Sequence, residues 1–338
     1  MTSWDVHRPP PAAGRTVLVT GGNAGIGYFV AEQLAAAGAT VILGCRSADR
    51  AADAMTAIRS RHPLAKLSHL PLDLADLPSL PASVSRLAPQ RHEGPLTDAE
   101  REDPSLDLES AENRCCEGAL PDAEREVRSL DLGAAEALAP RGLDAVVLNA
   151  GMVLDGPDPE ERTFAVNHLG HFALTALLAP HLARNARVVT TGSFVAKSAD
   201  FPEHEHHGKR AYARSKLAQM LFGFELARRG GFSVVNHPGG ALDSLTPSRP
   251  PVHTRPAGFR LPLLQGKDSG AWPAVRCVLD PAVRSGQLWG PRLFGLRGRP
   301  RLEPVRGILA DTALAARVWD LSVELTGLDP SATLLRRQ

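Results

Sequence analysis

The chain has 338 residues, of which 43% are apolar and 22% are charged, an ordinary globular composition that is sufficient for one large α/β core. The formal net charge of +1 gives no sequence-wide basic field, so neither nucleic acid nor anionic lipid is an expected partner. No run approaches the roughly 18 apolar residues of a membrane span, and the N-terminus lacks the apolar core of a signal peptide, so we expect a cytoplasmic protein.

Short apolar runs alternate with amphipathic stretches from residue 16 onward, a pattern typical of a parallel sheet covered by helices. The predicted strands are 16–20, 40–44, 67–72, 145–148, 187–191, 232–236 and, at an edge of the sheet, 287–294. The predicted helices are 25–37, 48–59, 211–229 and 312–325. The order of these elements predicts an α/β fold.

Residues 88–140 do not follow this alternation, because the segment is acidic, polar and poor in aromatic residues. It contains an internal repeat: LTDAERE and SLDL, at 96–102 and 105–108, return as LPDAERE and SLDL at 120–126 and 129–132. A tandem duplication explains the repeat. The low hydrophobicity predicts a mobile surface insertion rather than a second domain.

A glycine-rich turn, TGGNAGIG at 20–27, lies between the first predicted strand and the first predicted helix. Glycines allow the backbone to approach a pyrophosphate closely, and a helix N-terminus offers unpaired N–H groups and a favourable dipole. A simple strand-to-helix turn is the alternative, but the context on both sides favours a nucleotide site. Its expected contacts are Gly21, Asn23, Ala24, Gly25, Ile26 and Gly27.

Arg46 and Ser47 follow the second predicted strand, where an NAD-selective site usually has a carboxylate for the ribose 2′-hydroxyl. An arginine suits a 2′-phosphate through charge-assisted hydrogen bonds. The alternative is a solvated arginine at the start of a helix. The sequence therefore predicts NADP(H) as the cofactor, in preference to NAD(H).

Two further strand ends offer cofactor contacts. Asp73 and Leu74 follow the third predicted strand, where Asp73 either caps the next helix or touches the adenine. Asp131 lies in a similar Leu-Asp-Leu setting and competes for that role, but Asp73 is favoured because 67–72 is the better buried strand. The expected contacts after the fourth strand are Asn149, Ala150 and Gly151.

Tyr212 and Lys216 are four residues apart, on one face of a predicted helix. A tyrosine with a pKa of about 10 is a poor acid–base catalyst at neutral pH, and a neighbouring ammonium that stabilises the phenolate lowers this pKa. Ser193, just past the fifth predicted strand, is placed to hydrogen-bond a substrate oxygen. A lone Tyr-x-x-x-Lys is common on protein surfaces, but with the glycine loop and Ser193 it predicts a catalytic site.

Together these motifs resemble the classical short-chain dehydrogenase/reductases. More closely, FAVNHLGHF at 164–172, SKLA at 215–218, ELARR at 225–229 and AARVWD at 315–320 are similar to the retinol-dehydrogenase-like branch of that family. The resemblance covers residues 14–327 apart from the insertion. It implies a single Rossmann-type domain over 1–338, with a doubly wound parallel sheet.

The resemblance also implies a catalytic tetrad of Asn167, Ser193, Tyr212 and Lys216. In that family the tyrosine protonates a carbonyl oxygen, the lysine holds the nicotinamide ribose, and the asparagine positions a water in the proton relay. The match at 237–239 implies cofactor contacts from Pro238 and Gly239. The proline-rich segment 242–266 matches the substrate-covering lid.

Three positions depart from the family pattern. Leu148 stands where an asparagine is frequent, and Gly192 stands where a second serine is usual. Asp243 replaces a threonine that contacts the cofactor. A carboxylate there would repel the pyrophosphate, so we expect a shifted loop in which Ser244 or Thr246 substitutes.

Other side chains are open to two interpretations. Residues 204–207 (HEHH) suggest a metal cluster, but adjacent ligands rarely close one site, so we interpret them as a solvated loop and expect no metal. His168 and His171 are interpreted as packing residues of a helix that the family uses in subunit contacts, which makes a homodimer an expectation. Five residues form either an apolar substrate pocket or ordinary core: Phe201, Phe259, Leu261, Leu263 and Trp272.

The sequence thus predicts NADPH-dependent reduction of a ketone or aldehyde on a small lipophilic or polycyclic substrate, with Tyr212 as the general acid. One alternative is the reverse reaction, an NAD(P)⁺-dependent alcohol dehydrogenase. Another is a non-catalytic, nucleotide-binding regulatory protein of the same fold. The intact tetrad favours an enzyme, whereas Asp243 and the insertion keep the regulatory alternative open.

Overall fold

A computed structural model of the protein describes residues 4–87, 142–152, 159–199, 209–257, 261 and 263–331. The strands in these ranges are β1 (Thr16–Thr20), β2 (Thr40–Cys45), β3 (Lys66–Pro71), β4 (Leu143–Leu148), β5 (Leu182–Thr191), β6 (Ser233–Asn236), β7 (Leu288–Leu293) and β8 (Arg297–Glu303). They form one sheet in the order β3-β2-β1-β4-β5-β6-β7-β8. Strands β1 to β7 are parallel, and β8 is antiparallel to β7.

Helices cover both faces of this sheet. In the described ranges they are α1 (Gly25–Ala36), α2 (Ala48–Arg59), α3 (Leu80–Ser85), α4 (Pro159–Phe164), α5 (Gly170–Leu178), α6 (Lys209–Arg228), α7 (Lys267–Gly270), α8 (Trp272–Leu279) and α9 (Thr312–Thr326). Helices α1, α2 and α8 pack on one face, around Phe29 and Ile58. Helices α3, α5, α6 and α9 pack on the other, around Phe172, Phe222 and Trp319. The predicted doubly wound α/β fold is therefore confirmed.

The course of the chain through the sheet creates a crevice at one edge. Strand β1 (TVLVT) is buried along its whole length, as expected for a central strand covered on both faces. The chain runs outward from β1 to β2 and β3, and it returns to β4 on the opposite side of β1. Ligands of such sheets bind where the strand order reverses, outside the carboxyl ends of the strands. The carboxyl ends of β1 and β4 mark that position here.

The predicted helices and strands are present, with boundaries that differ by a few residues. The predicted position of one strand at the edge of the sheet is wrong. The segment predicted as the edge strand, 287–294, corresponds to β7, and β7 pairs with β6 on one side and β8 on the other. Strand β8 has the sequence RGRPRLE, in which Pro300 alone is buried. Strand β8 has no apolar run and no clear alternation of apolar and polar residues, so it was not predicted.

Several predicted features lie outside the described residues: the insertion at 88–140, Asp131, Phe201, Phe259 and the histidine-rich residues 204–207. Across the part of the chain that is described, no helix is long and apolar enough to cross a membrane. Within the same residues, no group of three or more His, Cys, Asp or Glu side chains is arranged to hold a metal ion.

Part of the predicted lid is tied to helix α1. Arg249 donates hydrogen bonds to both carboxylate oxygens of Glu32, at 2.6 and 3.3 Å. Glu32 is only 5% exposed, and Arg61 pairs with the same carboxylate at 3.2 Å. Arg249 therefore anchors this part of the segment to α1, and a lid function for 242–266 stays a prediction.

Candidate active site

A cleft of about 530 Å³ opens at the carboxyl ends of the central strands. Most of the predicted cofactor contacts line this cleft: Gly21, Asn23, Ala24, Gly25, Ile26, Arg46, Ser47, Asp73, Leu74, Asn149, Ala150, Gly151, Tyr212, Lys216 and Pro238. The predicted site residues that are not among its lining residues are Gly27, Gly239, Ser193 and Asn167. The fold thus brings residues from distant parts of the sequence to one site.

The glycine loop leaves the start of helix α1 open toward the cleft. Ala24, the residue before the first helical turn, makes no side-chain cap, so the first N–H groups of α1 have no side-chain partner there. Gly27 explains how closely the helix packs: a Cβ at this position would lie 2.3 Å from the Gly21 carbonyl oxygen and 2.4 Å from Asn149 Nδ2. This tight turn and the open helix N-terminus fit a dinucleotide pyrophosphate.

Arg46 and Arg50 line the end of the cleft at β2 and α2. Ser47 Oγ accepts a hydrogen bond from Arg50 N at 3.2 Å, so Ser47 caps helix α2. Asp73 is the only carboxylate among the described residues that line the cleft, and it accepts from Ala75 N at 2.9 Å. The excess of positive charge from Arg46 and Arg50 fits the phosphates of a dinucleotide. Arg50, four residues after Arg46 and in the first turn of α2, was not among the predicted contacts.

Tyr212 and Lys216 project from α6 into the other end of the cleft. Burial raises the pKa of Tyr212, and a hydrogen bond with Ser193 offsets part of this effect. Burial also lowers the pKa of Lys216 to about 7. The expected lowering of the Tyr212 pKa by Lys216 is not what is found: burial and Ser193 are the causes of its shift, and the net change is upward. Tyr212 is therefore held as a protonated phenol.

Lys216 is enclosed by backbone and small residues. Its Nζ donates to Thr191 O at 3.2 Å and to Gln219 Oε1 at 2.8 Å. A Cβ on Gly151 would lie 2.9 Å from Nζ and 3.2 Å from Cε, so a larger residue there would have to displace the lysine side chain. At Gly192, a Cβ would meet Met220 Cγ at 2.3 Å, which explains why a serine does not fit there.

Asn167 lies in a π-helical turn, Ala165–Leu169, between α4 and α5. Its side chain donates to Met152 O and Ser215 Oγ, both at 3.0 Å, and accepts from Met152 N at 2.8 Å. The carboxamide therefore ties the loop after β4 to helix α6. Single π turns of this kind are frequent at functional sites.

The loop after β6 corrects the expectation for Asp243. Its carboxylate pairs with Lys267 at 2.5 Å, and Lys267 lines the cleft. Thr246, expected as a substitute contact, is fully buried: it donates to Leu242 O at 2.7 Å and accepts from Lys267 N at 2.9 Å. Thr246 thus holds the loop, and Lys267 provides a charge that the sequence analysis missed.

The two histidines of the α5 region are buried inside the chain. Burial lowers the pKa values of His168 and His171 to about 3, and His168 Nε2 lies 2.7 Å from Ser322 Oγ.

Three of the residues predicted as either a substrate pocket or core are described. Trp272 packs its ring against His7 and is not a lining residue of the cleft. Leu261 and Leu263 are 43% and 54% exposed, so neither is a core residue.

Comparison with known proteins relates the chain to one family. The family model described as short chain dehydrogenase matches residues 15–93. Polyprenol dehydrogenase from mouse is 30% identical over 94% of this chain and 85% of that protein. Human retinol dehydrogenase 13 is 31% identical over 94% of this chain and 86% of that protein. A solved structure of an uncharacterized protein from Mycobacterium paratuberculosis has a TM-score of 0.64 at 26% identity, covering 97% of this chain and 99% of that one.

Proposed function

The chain belongs to the short-chain dehydrogenase/reductase family, in its retinol-dehydrogenase-like branch, and from this premise we propose that it reduces a ketone or aldehyde with NADPH. One observation carries the proposal. A buried Tyr212, hydrogen-bonded with Ser193, shares one cleft with Lys216, and the far end of that cleft offers two arginines.

The proposed chemistry assigns a separate task to each side chain. When bound, the reduced nicotinamide supplies a hydride to the carbonyl carbon. Tyr212 gives its phenolic proton to the carbonyl oxygen, and Ser193 donates a hydrogen bond to the same oxygen. The positive charge of Lys216 stabilises the phenolate that remains on Tyr212. Asn167 holds Met152 and Ser215 in place around this site.

The charge of the cleft supports NADP(H) over NAD(H) in this proposal. Arg46 and Arg50 stand near the end of β2, where a 2′-phosphate would lie if the dinucleotide follows the glycine loop. A guanidinium binds phosphate through charge-assisted hydrogen bonds, and it offers nothing equivalent to a neutral 2′-hydroxyl. The backbone N–H groups at the start of α1 would hold the pyrophosphate.

The names of the relatives favour a lipophilic substrate and also a second candidate function. Retinol and polyprenol are lipophilic alcohols, and both relatives are named as dehydrogenases. The same residues serve both directions, because Tyr212 as a phenolate would accept the proton that it otherwise donates. Oxidation of a lipophilic alcohol with NADP⁺ is therefore the second candidate.

Calorimetric titration of the purified protein with NADPH and NADH tests the cofactor. We expect NADPH to bind more tightly, and Arg46→Ala to weaken NADPH binding by roughly tenfold while NADH affinity is unchanged. Binding of NADH alone would refute the assignment to Arg46.

The variant Tyr212→Phe tests the chemistry: it should retain NADPH binding and lose reduction of lipophilic ketones and aldehydes. Retained turnover would refute the assignment to Tyr212.

A further inference from the structure

A chain of buried polar side chains leads from Lys216 away from the cleft. Lys216 Nζ donates to Gln219 Oε1 at 2.8 Å, and Gln219 Nε2 lies 3.0 Å from His171 Nδ1. On the other side of the ring, His171 Nε2 lies 2.9 Å from Thr20 Oγ1. Gln219, His171 and Thr20 are fully buried, so each polar group depends on its neighbour for a hydrogen bond.

The ammonium of Lys216 fixes the orientation of the Gln219 carboxamide. With Oε1 toward Nζ, the amide N–H groups face Leu148 O, at 3.2 Å, and His171 Nδ1. A reversed amide would turn its NH₂ toward the ammonium and its oxygen toward the Leu148 carbonyl oxygen. Both contacts would be repulsive at a site that excludes water.

This orientation determines which nitrogen of His171 carries a proton. Burial lowers the pKa of His171 to about 3, so at neutral pH the ring is uncharged and has one N–H. Nδ1 faces an N–H group of Gln219 and accepts from it, which leaves the proton on Nε2, directed at Thr20 Oγ1. The other tautomer would direct an Nδ1–H toward Asn167 O, 3.1 Å away, but it would also place N–H against N–H at Gln219.

We propose that Gln219 is a positioning residue for Lys216, and that His171, held as its Nε2–H tautomer, links Lys216 to the strand end at Thr20. The Thr20 hydroxyl donates its own proton to Val147 O at 3.3 Å, which leaves Oγ1 to accept from the ring. Oγ1 is shared with the backbone N–H groups of Asn149 and Ala150, which lie 2.9 and 3.0 Å away. Asn149 and Ala150 line the cleft. The polar chain therefore connects the lysine to a loop that is proposed to hold the cofactor.

The groups around Lys216 determine how a substitution of Gln219 should change the pKa of Lys216. Among the described residues, the titratable groups that face Lys216 are Tyr212, from its own helix, and His171, from α5. Strand β5 meets it through the carbonyl of Thr191, and the loop after β4 through Gly151. Gln219 Oε1 is thus a main acceptor for the ammonium, so its removal should disfavour the charged form of Lys216.

Long-range ¹H–¹⁵N correlation spectra of protein labelled at histidine test the tautomer directly, without turnover. His171 signals are assigned by their absence from a His171→Gln variant. We expect a pyridine-type Nδ1 and a pyrrole-type Nε2 for His171. A pyrrole-type Nδ1 would overturn the inference, and this test stands even if no Gln219 variant folds.

The pH profile of kcat/KM tests the positioning role of Gln219, and this experiment rests on the proposed function. We assign to Lys216 the limb of the pH profile near pH 7, because burial lowers its pKa to about 7. Gln219→Leu removes the hydrogen-bond acceptor of Lys216 and should move this limb down by about one pH unit. Gln219→Glu places a carboxylate beside the ammonium, and should move the same limb up. A purely structural role would not shift the limb in opposite directions in the two variants. The inference would be overturned if the limb stayed in place in both variants or moved in the same direction in both.

His168→Asn is the matched control for these variants. His168 is equally buried, belongs to the same helical region and pairs with Ser322 rather than with the polar chain. The substitution is expected to lower stability and to leave the pH profile and the tautomer of His171 unchanged. If the wild-type protein reduces no carbonyl compound, the proposed function fails, while the spectra still decide the inference on His171.

Discussion

Lys267 makes the unusual carboxylate at Asp243 compatible with an anionic ligand. A lone carboxylate near the cleft would repel an anionic ligand, whereas the 2.5 Å ion pair with Lys267 offsets its charge. His253 Nδ1 lies 3.6 Å from the same carboxylate. The loop after β6 therefore replaces the hydroxyl of a threonine by a salt bridge at the edge of the cleft.

Replacing Lys267 by methionine should weaken NADPH binding by about tenfold, because the variant loses a cation and leaves Asp243 unpaired. Titration calorimetry at low ionic strength measures the effect, which should shrink as salt is added. The double variant Lys267→Met/Asp243→Thr should recover part of the lost affinity. Lys197→Met is the control, since Lys197 pairs with Glu303 and does not line the cleft. Equal affinities for the Lys267 variant and the wild-type protein would contradict this role.

The site residues that could be predicted from the sequence are those with a local signature. The glycine loop follows a buried strand, and Tyr212 and Lys216 share a helix face, so each pattern can be recognised without a fold. Lys267 belongs to a short helix far along the chain, and only the tertiary structure brings it to the cleft. Gln219 had a usable signal, because it lies one turn from Lys216 on the same helix.

Helix α5 packs against the loop that follows β3 through a glycine. A Cβ on Gly170 would lie 2.3 Å from the carbonyl oxygen of Leu74 and 2.8 Å from its Cβ. Leu74 lines the cleft, so this contact places the helix directly behind the proposed cofactor site. A backbone oxygen cannot move aside as the end of a flexible side chain can.

Gly170→Ala should therefore destabilise the protein by about 1–3 kcal/mol, the usual cost of overpacking, although alanine is the better helix former. The same substitution should weaken NADPH binding, because it displaces Leu74. Urea denaturation and calorimetry measure the two effects. Ala176→Gly, on the same helix, should lower stability and leave NADPH affinity unchanged. A Gly170→Ala variant more stable than the wild-type protein would show that the Leu74 segment relaxes freely.

A half-buried carboxylate on β8, Glu303, ties the β7–β8 hairpin to the segments that follow β5 and β6. Glu303 Oε1 lies 3.2 Å from His237 Nε2, and Lys197 pairs with the other oxygen. Burial alone would raise the pKa of Glu303, but the hydrogen bonds and charges of His237 and Lys197 lower it to about 2. Since the pKa falls on folding, the carboxylate stabilises the protein above its usual pKa, and this contribution is lost in acid.

The free energy of unfolding should consequently decrease as the pH falls from 4.5 toward 2, the interval between the usual and the native pKa of Glu303. Glu303→Gln should be less stable than the wild-type protein at pH 7 and should show a flatter dependence across this interval. Urea denaturation at several pH values gives both quantities. Glu324→Gln, which changes an exposed residue of α9, should keep the wild-type slope. Parallel slopes for Glu303→Gln and the wild-type protein would rule out this contribution.

At the scale of the whole molecule, the sheet and its helices account for the site without the insertion. Leu80, Val84 and Leu87 of the α3 region are buried before it. Strand β4, after it, pairs with β1 and β5 on its two sides. The fold was predictable because each central strand is a buried apolar run. The polar insertion gives no such pattern, and its low hydrophobicity offers little apolar surface to bury.

Replacing residues 88–141 by a Gly/Ser linker of about ten residues should leave the fold and the NADPH affinity unchanged, since connections of this length are ordinary in α/β proteins. Thermal unfolding and titration calorimetry are the measurements. A Gly/Ser chain of the same length as residues 88–141 is the control, because it keeps the length and removes the duplicated sequence. If both variants fold but lose NADPH, the duplicated sequence contributes to the cofactor site. If only the short variant is impaired, the length of the connection is what the fold requires.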